Sequence, residues 1–398
     1  MIRASWPTLT QNLLVLDSRE AILDLAPLLE SLAERCDQAG AMHWLPYFLD
    51  QAVMGRRAPF LVLVLRPEQD EGRSLCVEDV EAAALYFEYR LFGMRTGAVA
   101  TGDAVGFSSV IAPEQQRTLV AAITARALVE RGASVVLATY AGDEEPESRP
   151  LLTGWSGVLS AARKRQVGRS LRLLPTMQGT LAQMGKRTRT NLRYYRRRLE
   201  ESMPCEYVVD AAAELATADV QELNAGSLNP VSPAEFERRI RSASELPGSF
   251  LSGLRAADGQ WLSLMGGWRQ GTTTVLYWQM NSAGYEKQSI GTVMRSFFLE
   301  HEIGRGAKKL LMYGGTSHAM RHAFEQDTVA DLVIRRKGLQ SKLLCWASRF
   351  FATPEGISGR GNFLANTLQD QQLRWSANIS PQRMRKPMLT KLARSRVA

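Results

Sequence analysis

Lysine is absent from the first 150 residues of this 398-residue chain. Histidine occurs only four times, at positions 43, 301, 318 and 322, and no Cys/His cluster exists. Neither a structural nor a catalytic metal is therefore expected. The four cysteines, Cys36, Cys76, Cys205 and Cys345, lie far apart and form no Cys-x-x-Cys pair. A chain this long has enough core without staples, so they read as reduced thiols of a cytoplasmic protein. Long apolar runs are also lacking. The longest, such as Phe60 to Leu65, have strand length, well short of the roughly 20 residues that span a bilayer. Residues 1–10 lack a basic stretch followed by an apolar one, so no secretory signal is expected. No Ser-His-Asp or Cys-His constellation stands in a recognisable context, which disfavours covalent nucleophilic catalysis. Signatures of RNA-recognition motifs, helix-turn-helix units and zinc fingers are missing, which argues against sequence-specific reading of DNA.

What is present is a globular composition, 45% hydrophobic and 22% charged. The length fits two domains of about 150–200 residues each. Charge is unevenly spread. Residues 1–150 hold 13 Arg against 21 acidic residues, and residues 151–398 hold 36 basic and 19 acidic ones. The halves thus carry −8 and +17, and the second half is prepared to meet an anion.

Periodicity predicts helices over the first 55 residues, where Ala21, Leu25, Leu28, Leu29, Leu32 and Ala33 recur at 3–4 spacing. Strands are predicted at 59–65, 80–91 and 134–140, with a helix at 112–131 carrying Pro113 near its start. The acidic, Pro-bearing stretch 141–150 reads as a surface loop. Low hydrophobicity continues to about Arg169, which places a domain boundary near residue 165. In the second half, helices are predicted at 185–201, 211–224, 233–243 and 291–303. Ser232 and Glu235 stand at capping-box positions ahead of the third. Strands are predicted at 205–209, 249–255, 261–268, 273–280, 308–313 and 329–335, with Asp258-Gly259 and Gln270-Gly271 as hairpin turns. A helical turn at 317–324 and a helix at 339–351 complete the second domain, and a basic tail follows. Both halves show the order β-β-α-β, which suggests two copies of one α/β fold with a mixed sheet.

One segment carries a recognisable site. Two strands precede Gly284-Tyr285-Glu286-Lys287-Gln288-Ser289-Ile290-Gly291-Thr292, and a helix follows. A glycine-bearing turn that opens a helix is an anion cradle, because free backbone N–H groups and the positive helix end face the ligand. Lys287 adds a full charge, and Gln288, Ser289 and Thr292 add polar groups. Upstream lies a basic stretch. Lys186, Arg187, Arg189, Arg193, Arg196, Arg197 and Arg198 place seven basic groups within 13 residues. Helical spacing brings Arg189, Arg193, Arg196 and Arg197 to one face, a crowding that an anion would relieve. Trp261, Trp268, Tyr277 and Trp278 lie across the hairpin as cross-strand packing residues, some of them available to line an acceptor groove.

The order hairpin, strand, Gln288-x-x-Gly291, helix, strand resembles the acetyl-CoA site of GNAT acyltransferases. That family sets a Gln/Arg-x-x-Gly-x-Gly/Ala loop against the CoA pyrophosphate. Val293 departs from the pattern at its sixth position, where a side chain is expected to narrow the approach. Residues 180–199 resemble the basic helix of a GNAT subfamily that includes acetyltransferases of cellulose and exopolysaccharide biosynthesis. That subfamily is related to Fem-type aminoacyltransferases, which are built from two GNAT modules. The similarity covers roughly residues 170–325, and the first half fits by element order alone.

The resemblance implies tandem GNAT-like domains: a degenerate one over 1–165, an acyltransferase domain over 166–352, and a tail over 353–398. It implies acetyl-CoA or another acyl-CoA as donor and an amine or hydroxyl acceptor, with direct transfer between them. Lys287, Gln288, Ser289, Gly291 and Thr292 would hold the donor. Arg189, Arg193, Arg196, Trp278 and Tyr285 would meet substrate. Direct transfer needs a base for the acceptor's proton and an acid for the leaving thiolate, for which Glu286, Tyr313 and His318 are the candidates. Two rivals follow from the same residues. One is a Fem-type transferase using charged tRNA, and the other a non-catalytic scaffold of a polysaccharide pathway.

Overall fold

The computed structural model describes residues 12–54, 57–66, 75–91, 94–101, 109–141, 158–227, 230–312, 325–336 and 338. The apolar run Pro59–Leu65 forms β2. Its Leu61 and Leu63 enter one core cluster and Val62 and Val64 another. A strand buried on both faces needs such an unbroken run. Ahead of it stand β1 (Leu13–Leu16), α1 (Arg19–Asp24), α2 (Ala26–Arg35) and α3 (Leu45–Met54). After it come β3 (Val80–Leu91), β4 (Met94–Thr101), β5 (Val110–Ile111), α4 (Arg117–Glu130) and β6 (Val135–Ala141).

The chain then runs through β7 (Val158–Arg172), α5 (Met177–Ala182), α6 (Lys186–Ser202) and β8 (Cys205–Val208). Next are α7 (Thr217–Ala225), α8 (Pro233–Glu245), β9 (Ser249–Ala256), β10 (Trp261–Gln270) and β11 (Thr273–Asn281). Finally come α9 (Ile290–Gly304), β12 (Lys309–Met312) and β13 (Glu325–Arg336).

The strands form one mixed sheet in the order β1-β2-β3-β4-β6-β13-β7-β12-β11-β10-β9-β8, with β5 on β3. Two neighbouring pairs are parallel, β4 with β6 and β11 with β12. Parallel neighbours need a crossover, and α4 and α9 respectively supply it. The order therefore reads alike from either edge inward, and the repeated α/β arrangement expected from the sequence is present. The two central strands are exchanged. β7 follows β6 yet pairs with β12, and β13 follows β12 yet pairs with β6.

Helices cover both faces of each half. One core cluster packs α1 to α3 on β2 and β3, and another packs α4 on the opposite face. In the second half one cluster joins α6 and α9 to the sheet, and another joins α7 and α8. The first of these clusters also takes in Trp268 and Val275 of the second half. There Trp44 stacks 4.3 Å from Trp268 and 5.2 Å from Tyr277.

Several sequence expectations change. The stretch 158–172, read as polar linker up to Arg169, is a 15-residue strand. Backbone pairing at the centre of a sheet overrides its weak apolar pattern. β1 and β4 were not expected. β1 is a four-residue edge strand, too short to show a period. β4 holds Gly97 at φ 70°, a residue type that reads as a breaker. The helix predicted over 211–224 is a 3-10 turn at 211–213 followed by α7. At α8, Ser232 Oγ accepts from Glu235 N at 3.2 Å as a cap should. The Glu235 carboxylate does not complete the box, because Arg238 and Arg239 take it instead. Cys36, Cys76 and Cys205 are free thiols. The elements predicted at 317–324 and 339–351, and the tail, lie outside the described residues.

Candidate functional site

The hairpin β10–β11 carries a bulge. Gly266 faces Trp278 and Gly267 faces Leu276, so Tyr277 is the extra residue. Pairing of β11 with β12 runs from Thr273↔Lys309 to Leu276↔Met312, while β11 continues to Asn281. The bulge thus begins where the parallel pairing stops among the described residues.

Beyond Asn281 the chain makes a 3-10 turn, Ala283–Gln288, broken by Tyr285 at φ −126° and ψ 30°. Ser289 then adopts φ 51° and ψ 48°, the left-handed conformation that a serine rarely takes, and α9 starts. No side chain caps this helix. The N–H groups of Thr292 and Val293 turn back to Ser289 O at 2.8 and 3.1 Å. Those of Ile290 and Gly291, the first of the helix, find no acceptor among the described residues. The cradle predicted from sequence is therefore built of an uncapped helix end behind a strained serine.

Lys287 is exposed beside this end, and Gln288, Ser289 and Thr292 are half-buried. Gly291 packs closely on β11: a Cβ there would stand 3.0 Å from Asn281 Nδ2, so that amide would have to shift. Val293, expected to narrow the approach, is fully buried among the core residues between α9 and the sheet. Its side chain points inward, which corrects that expectation.

Behind the cradle runs a polar chain that sequence reasoning did not find. Ser263 Oγ donates to Asn281 Oδ1 at 2.9 Å. Gln279 Nε2 donates to the same oxygen at 2.9 Å and to Gly291 O at 3.1 Å. Arg295 Nε then donates to Gln279 Oε1 at 2.9 Å. Burial holds the half-buried Arg295 guanidinium at about 10, below the usual value for arginine. One signal was available: Arg295 interrupts an apolar helix and lies one turn after Gly291, on the same face.

The other predicted residues are spread more widely. Arg189 Nη1 caps the chain after α5, donating to Ala182 O and Met184 O at 3.1 Å each. Arg196 pairs with Glu200 at 3.0 Å and Glu300 at 2.6 Å, and stacks 4.0 Å over Phe297. Arg197 pairs with Glu201 at 3.6 Å. Lys186, Arg187 and Arg193 remain exposed. The like-charge crowding on α6 is thus partly relieved by carboxylates of the protein itself. Trp278 is buried against Phe236, with its ring over Gly266, where a Cβ would come within 2.6 Å. Tyr285 donates to Gln260 Oε1 at 2.7 Å. Glu286 belongs to the 3-10 turn, but its side chain lies outside the described residues, as do Tyr313 and His318 altogether.

Residues 186–324 match the family described as an acetyltransferase (GNAT) domain. The GNAT match begins with α6 and takes in the bulged hairpin, the cradle, α9 and β12. Among solved structures, one similar chain is L-PGS from Bacillus licheniformis, 12% identical with a TM-score of 0.43. That similarity covers 65% of this chain and 82% of the other. A tandem GNAT protein from the clavulanic acid biosynthesis pathway is 9% identical with a TM-score of 0.38, over 82% of this chain and 99% of that one. FemX is 10% identical with a TM-score of 0.42, over 71% and 88% respectively. No curated protein matches the chain.

Proposed function

We propose that the chain is an acyl-CoA-dependent N- or O-acyltransferase. The observation that carries this reading is the uncapped start of α9, set directly after a bulged strand whose parallel pairing has ended. The GNAT match over residues 186–324 supports it. The N–H groups of Ile290 and Gly291, with Lys287, would take the donor's pyrophosphate, since aligned N–H groups and a cation favour negative charge there. Ser289, Gln288 and Thr292 line the same end. No metal group is found among the described residues, and the reading asks for none.

In the reaction the acceptor's amine or hydroxyl lone pair attacks the thioester carbonyl carbon. A C–N or C–O bond forms, and the C–S bond breaks. The acceptor's proton leaves to a base, and the thiolate is protonated by an acid. Glu286, Tyr313 and His318 are kept as candidates for these two roles. Arg189, Arg193, Arg196, Trp278 and Tyr285 are kept as candidates for the acceptor side, of which exposed Arg193 is the most accessible. The division near residue 165, with a first half that shapes the acceptor cleft, belongs to the same proposal. So does a place in envelope or exopolysaccharide biosynthesis.

One observation favours a second reading. Lys186, Arg187 and Arg193 remain exposed on α6, as a transferase meeting the phosphates of aminoacyl-tRNA would need. No described helix is long and apolar enough to cross a membrane.

The test is calorimetric titration of the full chain with acetyl-CoA, a longer acyl-CoA and tRNA. Saturable binding of a CoA ester is expected. Absence of binding by any CoA ester at millimolar concentration refutes the donor site. Tight tRNA binding that weakens steeply with salt then favours the second reading.

A further inference from the structure

Several half-buried arginines of this fold meet a carboxylate. Arg269 meets Glu302, Arg196 meets Glu300 and Glu200, Arg255 meets Glu206 and Glu214, and Arg238 meets Glu235. Arg295 does not. Its one hydrogen bond is the 2.9 Å contact from Nε to the neutral Gln279 amide, and no acidic group of the described residues pairs with it. The two terminal nitrogens of its fork have no acceptor among the described residues, although the side chain is half-buried. Burial without a counter-charge disfavours the cation and draws its pKa down to about 10, so it is still charged near neutrality. A methionine or leucine would avoid that penalty while packing on the same face.

The guanidinium is nevertheless held with care. Gln279 Nε2 is fixed from two sides, by Asn281 Oδ1 and by Gly291 O. That leaves Gln279 Oε1 aimed at Arg295 Nε. Asn281 is in turn fixed by Ser263 Oγ. Three side chains of β10 and β11, with the Gly291 carbonyl, therefore orient one cation, and the chain ends at its fork. A solvated surface arginine needs no such support. The fork lies on the helix face that carries Gly291, and α9 rises only about 7.5 Å between Ile290 and Arg295. The unpaired N–H groups of the helix start are a second, separate set of donors within the same two turns of α9.

We propose that the Arg295 fork receives an anionic oxygen group of a ligand lodged between the start of α9 and the end of β11. A planar guanidinium matches a carboxylate or a phosphate through two parallel N–H···O bonds, and Gln279 sets its orientation beforehand. The inference rests on the acyltransferase reading only for what the anion belongs to. It is either a phosphate of the CoA donor or a carboxylate of the acceptor.

The experiment is calorimetric titration of the full chain and its Arg295→Gln and Arg295→Lys variants with CoA, inorganic pyrophosphate, pantetheine and succinate. Unliganded melting temperatures report on folding. Arg295→Gln is expected to lose about tenfold or more in affinity for the anion that uses the fork, with pantetheine unaffected. Arg295→Lys keeps the charge, loses the paired geometry and is expected to fall between; it also carries the test if the glutamine variant does not fold. Loss for CoA and pyrophosphate assigns the anion to the donor. Loss for succinate alone assigns it to the acceptor. Binding of all four probes as in the wild type, at an unchanged melting temperature, overturns the proposal and leaves the donor reading standing. Wild-type binding of none of the three anions overturns both. A chain that binds no CoA but loses succinate in Arg295→Gln keeps this site and refutes the donor reading.

Discussion

Replacing Glu302 with alanine should destabilise the protein severely without touching the cradle. Glu302 lies near the end of α9 and is 1% exposed. Its Oε1 accepts from Arg269 Nη2 at 2.7 Å and Nε at 3.1 Å, and its Oε2 accepts from Thr274 Oγ1 at 2.6 Å. Removing the carboxylate leaves a largely buried guanidinium and a buried hydroxyl without their acceptor. Breaking a buried ion pair from one side costs about 3–5 kcal/mol, at least about a fifth of the ~5–15 kcal/mol that holds a typical domain folded. Glu302→Gln keeps an acceptor for Thr274 but not the charge, and should lose about 1–3 kcal/mol. The double change Arg269→Met with Glu302→Leu removes both charges and keeps the bulk over Phe250, which Arg269 now covers at 4.5 Å. It should be less destabilising than the two single changes summed, by about 0.5–3 kcal/mol. Urea unfolding followed by tryptophan fluorescence measures Glu302→Ala, Glu302→Gln and the four proteins of the cycle. A loss below about 1 kcal/mol for Glu302→Ala, or strict additivity in the cycle, refutes the account of a buried pair.

Three further outcomes are expected. Phe298 is 1% exposed and stacks 5.2 Å from Phe250, so Phe298→Ala should cost about 3–5 kcal/mol in the same unfolding assay. Burial holds the His301 imidazole below its ordinary value, with Arg269 and Arg305 pushing the same way and Glu302 opposing them. The unfolded chain therefore binds that proton first as pH falls through about 6.5, and stability falls with it. His301→Gln should flatten the slope of unfolding free energy against pH on the acid side of neutrality, and an unchanged slope refutes the assignment. Lys287 is exposed, so Lys287→Ala should leave the melting temperature unmoved. It should weaken CoA binding only about two- to fivefold, as a solvent-screened charge contact would; an unaltered dissociation constant removes Lys287 from the donor site.

The elements that announced themselves were those where local sequence and tertiary burial agree. Pro59–Leu65 and the hairpin Trp261–Asn281 combine strand-forming residues with a glycine turn at Gly271, which indeed takes φ 55°. The helix after Gly291 was legible from its apolar period. β7 was not, because a central strand is made by neighbours far away in sequence and its own side chains alternate poorly. At the site, Lys287 to Thr292 could be found as a turn opening a helix. The role of Val293 could not, since helical phase decides whether it faces a ligand or the core. The chain Ser263–Asn281–Gln279–Arg295 joins three elements, and no local pattern reports a contact of that kind. The basic helix shows what spacing alone leaves out: of its seven positive residues, Arg196 and Arg197 are met by Glu200, Glu201 and Glu300 of the protein itself.

The two halves share an element order but treat the end of their parallel strand pair differently. Pairing of β4 with β6 runs from Ala98↔Val135 to Ala100↔Leu137. Immediately beyond it, Thr101 Oγ1 accepts from Thr139 N at 2.8 Å and donates to Thr139 O at 3.3 Å. One hydroxyl therefore satisfies both backbone groups that strand separation would leave open, and Thr139 Oγ1 donates in turn to buried Asp331 at 2.9 Å. The helix that connects this pair, α4, is buried along most of its length. In the second half β11 bulges at Tyr277 just past the last paired residue, and Gln279 and Asn281 turn their amides toward Gly291. Backbone groups at a strand separation must be satisfied by something. In the first half the protein satisfies them with its own threonine. The second half directs its side-chain amides to the helix, where they hold Arg295 beside unpaired N–H groups. These are the donors that the proposed anionic ligand would meet.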